Sequence, residues 1–537
     1  MGKREEQFPL SNELIENFIQ VNKKQWSGIK HTEQYIFVNF SMVRMQAAWI
    51  VPKLLYAKGI EEATGAKVVV LTWKSNEVLT KFIESFRMKH IALDRINQNN
   101  IPALLKAAGK TTWFMLTDGS GEGLKKMRVC GISAGRSIYE DILRTSDLST
   151  IKSARNKICF KKILHLLWTA YSLDNFCKRY SPLYMLCDDF AYHENMIIKL
   201  FHKYHASIYS SNNEEEWQVK IDSAGELMTH SAQRQASFKK RLQAVGQEGI
   251  TWSEQYLEER YAGKNGRTID RGAFADKKVL LRENAEKELG LDSIKKNIVI
   301  MAHTFSDAVF NYGTLYFRDY YDWVEQTLIL AAANDRVNWI LKPHPTRGAY
   351  NESKDSIEKM YQKYKRPNIY FLSDEFSAES IKNIADAIVT IGSNAGAEFS
   401  CEGIPAVIVG KPYYHGFGYT IEPENFSAYK DCLENIQNIE KLTKEQCDTA
   451  KKVFYLRSHG FTAEDGNMYR DEFADLINHN YNKMLSEIPL QYFAGNDGTQ
   501  KYNDIVMKEI TDYFKTHDMK ECEYYKRGVM RGKKYEK

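Results

Sequence analysis

The residues with the most chemical potential lie between 303 and 418. Lys342-Pro343-His344-Pro345 sets an imidazole in a turn that two prolines stiffen, beside a lysine. A histidine held there can donate to a phosphate or carboxylate oxygen, and the ammonium adds a compact positive charge. Gly392-Ser393-Asn394-Ala395-Gly396-Ala397-Glu398 joins small residues to hydrogen-bonding side chains. At a strand-to-helix turn, such a run lets backbone N–H groups approach an anion that the helix N-terminus also favours. Glu398 falls one turn into that helix, where it would accept from ribose or sugar hydroxyls. The alternative is an ordinary capped helix whose glycines serve close packing. His303 and Asp307 are four residues apart. They form either a proton-handling pair or a loop in which Asp307 caps the next segment. Two further loops belong with these. Gly410–Gly418 is rich in glycine and aromatics, and Ser373–Ser377 either passes over a base or caps a helix with Ser377.

These loops need a scaffold that brings them together. Each follows a short apolar run: Asn297–Ala302, Val337–Leu341, Ile369–Leu372, Ala387–Ile391 and Ala406–Val409. Helical segments fit between them at Tyr320–Ala333, Lys354–Lys363, Ser377–Ala385 and Ala395–Glu402. Strand and helix alternating in this way predict a doubly wound parallel sheet, in which ligands sit at the carboxyl ends of the strands. An earlier α/β series runs through Tyr35–Phe40, Lys67–Trp73, Trp113–Thr117, Leu183–Cys187 and Ala206–Tyr209, each read as a strand. Asn12–Asn22 and Met45–Lys58 read as helices, the second broken or kinked at Pro52.

Leu148–Tyr180 reads as helical, and no acidic residue occurs from Leu148 to Leu173. Lys152, Arg155, Lys157, Lys161 and Lys162 punctuate its apolar positions. Such a basic amphipathic segment would hold an anionic glycan or lie on a membrane face; otherwise it is a packed helix with a solvated basic side. Asn212–Lys287 is polar and helical, and reads as the end of the first domain plus a connection. The expected organisation is an N-terminal Rossmann-like domain over 1–285 with the basic insertion near 148–180. A second Rossmann-like domain follows over 286–480, then a helical tail over 481–537. Lys526–Lys537 carries six Lys or Arg and one Glu, and reads as a solvated or frayed end.

The bulk numbers exclude several classes. In 537 residues, 74 Lys or Arg face 69 Asp or Glu, so the net charge of +5 does not suggest a nucleic-acid binder. At 43% hydrophobic the chain is not a disordered one. Eight cysteines form no C-x-x-C pair, which fits a reduced, cytoplasmic compartment and no structural zinc. No signal peptide and no apolar run of ~18 residues is present, so any membrane contact is expected to be peripheral. No convincing D-x-D metal motif stands in a strand-end loop, and neither a metal nor another cofactor is expected.

The segments "ILKPHP" and "ADAIVTIGSNAGAEFSCEGIPAVIVGKPYYHGFGY" resemble the C-terminal half of GT-B glycosyltransferases of the bacterial capsule and surface polysaccharide group, which includes Kdo transferases. They also resemble sialyltransferases that use CMP-sugars, through a His-Pro motif followed by a Ser-bearing glycine loop. "GISAGRSIYEDILR" and "LCDDFAYHENMIIKLFHKYHASIY" resemble the first half of the same group more loosely. The resemblance implies two Rossmann-like domains facing a cleft, with a nucleotide-sugar donor, CMP-linked by preference, in the second. It implies that His344 and Ser393-Asn394 hold the nucleotide phosphate, and the residue chemistry above adds Lys342, Gly392, Gly396 and Glu398 to the expected nucleotide-binding set. The acceptor would be a surface glycan or a lipid-linked glycan, met at the cytoplasmic face of the inner membrane. An acceptor hydroxyl needs a carboxylate as base or nucleophile, and the candidates are Asp118, Asp141, Asp189 and Asp307, with Asp307, His303 and Asp189 preferred. The sequence departs from the group in carrying Asn394 where many relatives have a second hydroxyl. Thr117-Asp118-Gly119 and Glu464-Asp465-Gly466 only approximate its acidic catalytic motif. Three other readings share the pattern: a polyol-phosphate transferase of the teichoic-acid type, a nucleotide-sugar epimerase, and a glycan-binding or export partner without catalysis.

Overall fold

A computed structural model describes residues 12–41, 47–187, 191–459 and 523–533, with interruptions at 27, 75–76, 212–215, 223–224, 229, 265–273, 275–276, 314, 346 and 348–356. The chain divides into two compact units. Unit 1 comprises residues 1–139, 153–227 and 462–537; unit 2 comprises 140–152 and 228–461. The segment from 228 to 285 therefore groups with the second sheet, and residues 462–537 group with the first.

Unit 1 is built on six strands: β1 (Gln34–Phe40), β2 (Lys67–Thr72), β3 (Lys89–Ala92), β6 (Ser181–Cys187), β7 (Ser207–Ser211) and β8 (Glu216–Gln218). A small antiparallel hairpin, β4 (Arg128–Val129) with β5 (Ile132–Ser133), lies between them in the chain. The sheet order is β3-β2-β1-β6-β7-β8, parallel except at the β8 edge. Phe37, Val38, Val70, Leu71 and Met185 are almost completely buried, as strands covered on both faces must be.

Three expectations fail in the first 180 residues of this unit. Trp113–Thr117 is the last turn of a helix, Ile101–Thr117, and not a strand. Asn100 caps that helix by accepting from the Ala103 amide, and Pro102 sits in its first turn. Once started, the helix carries through the β-prone residues because Phe114 is buried on the same face as Ala103, Ala107 and Thr111. The third strand is instead the short edge segment Lys89–Ala92. The basic segment becomes helical only at Lys157, where Asn156 accepts from the Cys159 amide at 2.9 Å; residues 148–156 are irregular. The helix Ala47–Thr64 runs through Pro52 unbroken, carried by the burial of Leu54, Leu55, Ala57 and Ile60.

The tail is not frayed between 523 and 533. Helix Glu523–Lys533 packs directly on Ala47–Thr64, and Tyr525 and Arg527 are each 7% exposed. The reason is a contact without side chains. A Cβ on Gly528 would stand 2.2 Å from the Tyr56 carbonyl oxygen, and one on Gly59 would stand 2.2 Å from that of Tyr525.

Unit 2 contains β9 (Asn297–Met301), β10 (Asn338–Lys342), β11 (Ile369–Phe371), β12 (Ala387–Thr390), β13 (Ala406–Ile408) and β14 (Thr420–Ile421). All pairings are parallel, in the order β11-β10-β9-β12-β13-β14. The five expected strands and the helices between them are present, with β14 added at one edge. The direction of strand order reverses between β9 and β12, so the crevice for a ligand opens between the loops that follow those two strands. Helix Gln247–Tyr261 packs on Lys444–His459 through Trp252, whose ring lies 4.6 Å from that of His459 and 5.7 Å from that of Tyr455.

Gly528→Ala should destabilise the protein by about 1–3 kcal/mol, because the methyl group must push two backbones apart. Gly109→Ala, at an open helical position, should instead be neutral or slightly stabilising. Thermal melts of the two variants check this; equal melting temperatures would show that the glycine contact is unimportant.

Candidate nucleotide-binding site

The site forms where β9, β10 and β12 end. β10 runs into Lys342 and the stiff turn beyond it, and β9 runs into the loop from His303 to Asp307. Because β9 pairs with β10, the His303 and His344 rings meet, with centroids 5.3 Å apart. The same His303 ring lies 4.8 Å from Tyr320 and 6.2 Å from Tyr312. Tyr312 in turn packs on the glycine turn after β12: a Cβ on Gly392 would lie 3.1 Å from the Tyr312 ring. Gly392 has φ of +155°, and its lack of a side chain lets the tyrosine close over the turn. His344, His303, Tyr312 and Gly392 thus form one continuous surface across three strand ends.

Both imidazoles are held neutral. Burial, with His303 close by, pushes His344 down to about 3. Burial also lowers His303, opposed by the nearby Asp307 carboxylate. Neutral imidazoles act as hydrogen-bond donors here and not as standing cations. An arriving phosphate would reverse that balance, since an adjacent anion favours the protonated ring.

Beyond Gly392, Ser393 takes the N-cap position of helix Asn394–Cys401 but makes no side-chain bond to the helix. Its hydroxyl is 2.9 Å from Thr390 Oγ1, which also accepts from the Ser393 amide at 3.3 Å. The first turn of the helix is therefore not capped by its own cap residue. Tyr414 braces the turn, donating to the Ser393 carbonyl at 2.6 Å, and a Cβ on Gly396 would collide with the Tyr414 hydroxyl at 2.2 Å. This requirement for glycine at 396 is one of packing against Tyr414.

Two residues expected to face the ligand are turned elsewhere. Lys342 is 4% exposed, and its ammonium donates to the Ser373 carbonyl at 2.9 Å with the Asp374 carboxylate 3.5 Å away. Burial lowers it to about 8, against the pull of Asp374. Arg347 reaches the same carboxylate and also Glu358, so Asp374 ties the loop after β11 to the turn after β10. Lys342 supports the His344 turn from beneath. Glu398 is also 4% exposed and pairs with Arg260 at 3.0 Å, on the side of the helix that faces Gln247–Tyr261. Asn394 begins the helix and is on the surface side of the turn. Asp307 remains near the His303, Tyr312 and Tyr320 rings. Asp189 lies outside the described residues.

Sequence reasoning missed two residues that hold this site and one at the switch point of the first sheet. Glu140, 4% exposed, accepts from the Phe310 amide at 2.7 Å and fixes the end of the His303 loop. Thr150 donates at 2.6 Å to Asp319, the cap of helix Tyr320–Ala333, so residues 140–152 hold this loop from both sides. In unit 1, Glu194 is fully buried near the Ser41 hydroxyl at 3.4 Å, where β1 ends and strand order reverses toward β6. Beside it, Tyr192 has a left-handed φ of +55°, and His193 packs 4.7 Å from Trp73. Asp118 and Asp141 have structural partners: Asp118 accepts from the Ser120 amide at 3.0 Å, and Asp141, 4% exposed, accepts from the Thr145 hydroxyl at 3.4 Å.

Residues 271–433 match the family model of the capsule polysaccharide biosynthesis protein, so the resemblance carried by the strand-end motifs is borne out across this stretch. No curated protein matches the chain. Among solved structures, the chain is similar to KpsC, beta Kdo 2,4 transferase, of Thermosulfurimonas dismutans. That likeness has 12% identity and a TM-score of 0.31, and covers 51% of this chain and 80% of that one. The beta Kdo 2,7 transferase KpsC of the same organism is similar at 16% identity and TM-score 0.30, covering 52% and 79%. Anabaena Alr3699/HepE in complex with UDP is similar at 11% identity and TM-score 0.26, covering 85% and 100%.

Two outcomes follow from the geometry. Lys342→Met leaves the Ser373 and Phe376 carbonyls without their ammonium donor, while Asp374 keeps Arg347, and should cost about 1–3 kcal/mol of stability in denaturant melts. A purely ligand-facing lysine would leave the melt unchanged. His344 titrates below its ordinary value of 6.5, so the folded state resists protonation that the unfolded chain accepts. Its contribution is complete above pH 6.5 and is lost as pH falls toward about 3. His344→Gln should flatten the fall of melting temperature with pH in that window; an unchanged slope would show the imidazole to be freely solvated.

Proposed function

We propose, from the premise that residues 271–433 carry the capsule polysaccharide biosynthesis pattern, that this protein is a glycosyltransferase of the GT-B type acting in capsule polysaccharide assembly. Two doubly wound sheets in one chain supply the two halves that such a fold requires. The observation that carries the reading is the joined surface of His344, His303, Tyr312 and the Gly392–Ser393 turn at the switch point of the second sheet. Neutral donors beside a helix N-terminus without a side-chain cap suit a nucleotide phosphate.

In this reading the donor is a nucleotide-sugar, CMP-linked by preference, with Kdo or another acidic sugar as the transferred unit. His344, His303 and Ser393 donate to the phosphate, with the first-turn amides of helix Asn394–Cys401. As the glycosidic bond to the nucleotide breaks, charge grows on the leaving phosphate, and donors fixed in advance stabilise it most. Either imidazole can take up a proton at that moment, because the phosphate raises its affinity for one. Lys342 and Glu398 are positioning residues: one holds the His344 turn, the other anchors the helix. The acceptor is a surface glycan or a lipid-linked glycan. Its hydroxyl needs a carboxylate; Asp307 stands at the edge of the second sheet, Glu194 at the edge of the first, and Asp189 remains a candidate.

A thermal-shift panel of CMP, CDP, UDP, GDP and TDP tests the reading. CMP should give the largest rise in melting temperature, since stabilisation follows ligand affinity. His344→Ala should weaken CMP binding by roughly ten-fold, about 1.4 kcal/mol for one charge-assisted hydrogen bond, without lowering the unliganded melt. Affinity should increase as pH falls from 8 to about 6, because binding raises the imidazole pKa. No response to any nucleotide would remove the proposal. CMP released together with a glycerol phosphate product would reassign the protein to polyol-phosphate transfer.

A further inference from the structure

Helix Ile101–Thr117 presents its apolar stripe outward. Ala103, Ala107, Thr111 and Phe114 take the buried face. On the opposite face, Ile101, Leu105, Trp113 and Leu116 are 65%, 67%, 69% and 73% exposed. At 100° per residue these four fall within one arc of about 120°, and the remaining positions of that arc, such as Gly109 and Thr112, carry no charge. A solvent-facing helix normally carries its polar residues there, so a stripe of this size marks a contact surface.

Along the two helices that form this face, the charge has one sign. No acidic residue occurs between Ile101 and Thr117, or between Lys157 and Leu173 in the helix that packs beside it. Lys106 and Lys110 border the stripe on its own helix. Lys157 and Lys161 are exposed on the neighbouring helix, with Ile158 between them 41% exposed. Arg155 closes the far end, donating to the carbonyls of Met115 at 2.9 Å and Leu116 at 3.4 Å. Trp113 adds the ring type that favours the boundary between headgroups and acyl chains.

We propose that this face docks on an anionic lipid bilayer surface, with helix Ile101–Thr117 lying in the plane of the interface. Ile101, Leu105, Trp113 and Leu116 enter the boundary between headgroups and acyl chains, while Lys106, Lys110, Lys157 and Lys161 meet the lipid phosphates. The combination fits a bilayer because it pairs an insertable apolar stripe with cations beside it on its own and the neighbouring helix. No described helix is long and apolar enough to cross a membrane, and docking of this kind requires none. The inference rests on unit 1 alone and is independent of the nucleotide site.

Flotation of the full chain with phosphatidylcholine vesicles, with and without a phosphatidylglycerol fraction, tests it. The protein should float with the anionic vesicles, less so at high salt, and remain at the bottom with the neutral ones. Lys157→Glu/Lys161→Glu should reduce the bound fraction roughly ten-fold or more. Trp113→Ser/Leu116→Ser should abolish flotation while leaving the melting temperature unchanged, since both side chains face solvent. Equal binding by these variants, or no binding by the wild type, overturns the proposal. A dimer in sedimentation velocity that Trp113→Ser/Leu116→Ser dissociates, without vesicle binding, would overturn it in favour of a second copy of this chain.

Discussion

Two imidazole rings 5.3 Å apart at the ends of neighbouring strands set the character of the second unit. Burial disfavours the charged form of both, and in His344 the closeness of His303 disfavours it further. The arrangement therefore stays uncharged until something negative arrives. The rest of the site serves to keep this pair in place. Asp374 joins Lys342 and Arg347 beneath the His344 turn, and Glu140 and Thr150 hold the His303 loop and the helix after it. A partly buried ion cluster of this sort adds little net stability, but it fixes one arrangement, because Asp374 is held from two sides, by Lys342 and by Arg347.

The glycine turn depends on the same loop. Tyr312 lies between His303 and Gly392, and a Cβ on Gly410 would meet both the Tyr312 Cβ at 2.6 Å and the Ile391 carbonyl at 2.7 Å. Tyr414 secures the other side of the turn through the Ser393 carbonyl. Three strand-end loops are thus packed into one surface by two tyrosines. Their motion as separate loops would require breaking a close-packed contact, so the donors are fixed before a ligand enters.

Much of this was legible in the sequence because parallel strands buried on both faces leave long apolar runs. NIVIM, AIVT and KVVVLT are recognisable for that reason. His344 between prolines and the small residues of 392–397 could also be assigned to strand-end loops of one sheet, where the structure places them. What the sequence hid was direction. A lysine ending a buried strand reads the same whether it reaches outward or, as Lys342 does, into carbonyls 31 residues away. Glu398 was assigned to a ligand because its partner, Arg260, lies far back in the chain on a helix whose packing no local pattern reveals. Trp113 and Leu116 look like strand residues until Asn100 and Pro102 are seen to start a helix upstream. The tail read as frayed because Gly528 and Gly59 pack by lacking side chains, which composition does not show. The family match covers the second sheet and not the first, so the first unit had the least to guide it.

The central claim is that the His303–His344 pair receives the donor phosphate. The most direct measurement is the nitrogen NMR spectrum of the histidine side chains during titration with CMP at neutral pH. The His303 and His344 signals alone should shift, from neutral to protonated or strongly hydrogen-bonded rings, with one common binding curve. Saturation of the protein with CMP while both signals stay at their neutral positions would contradict it.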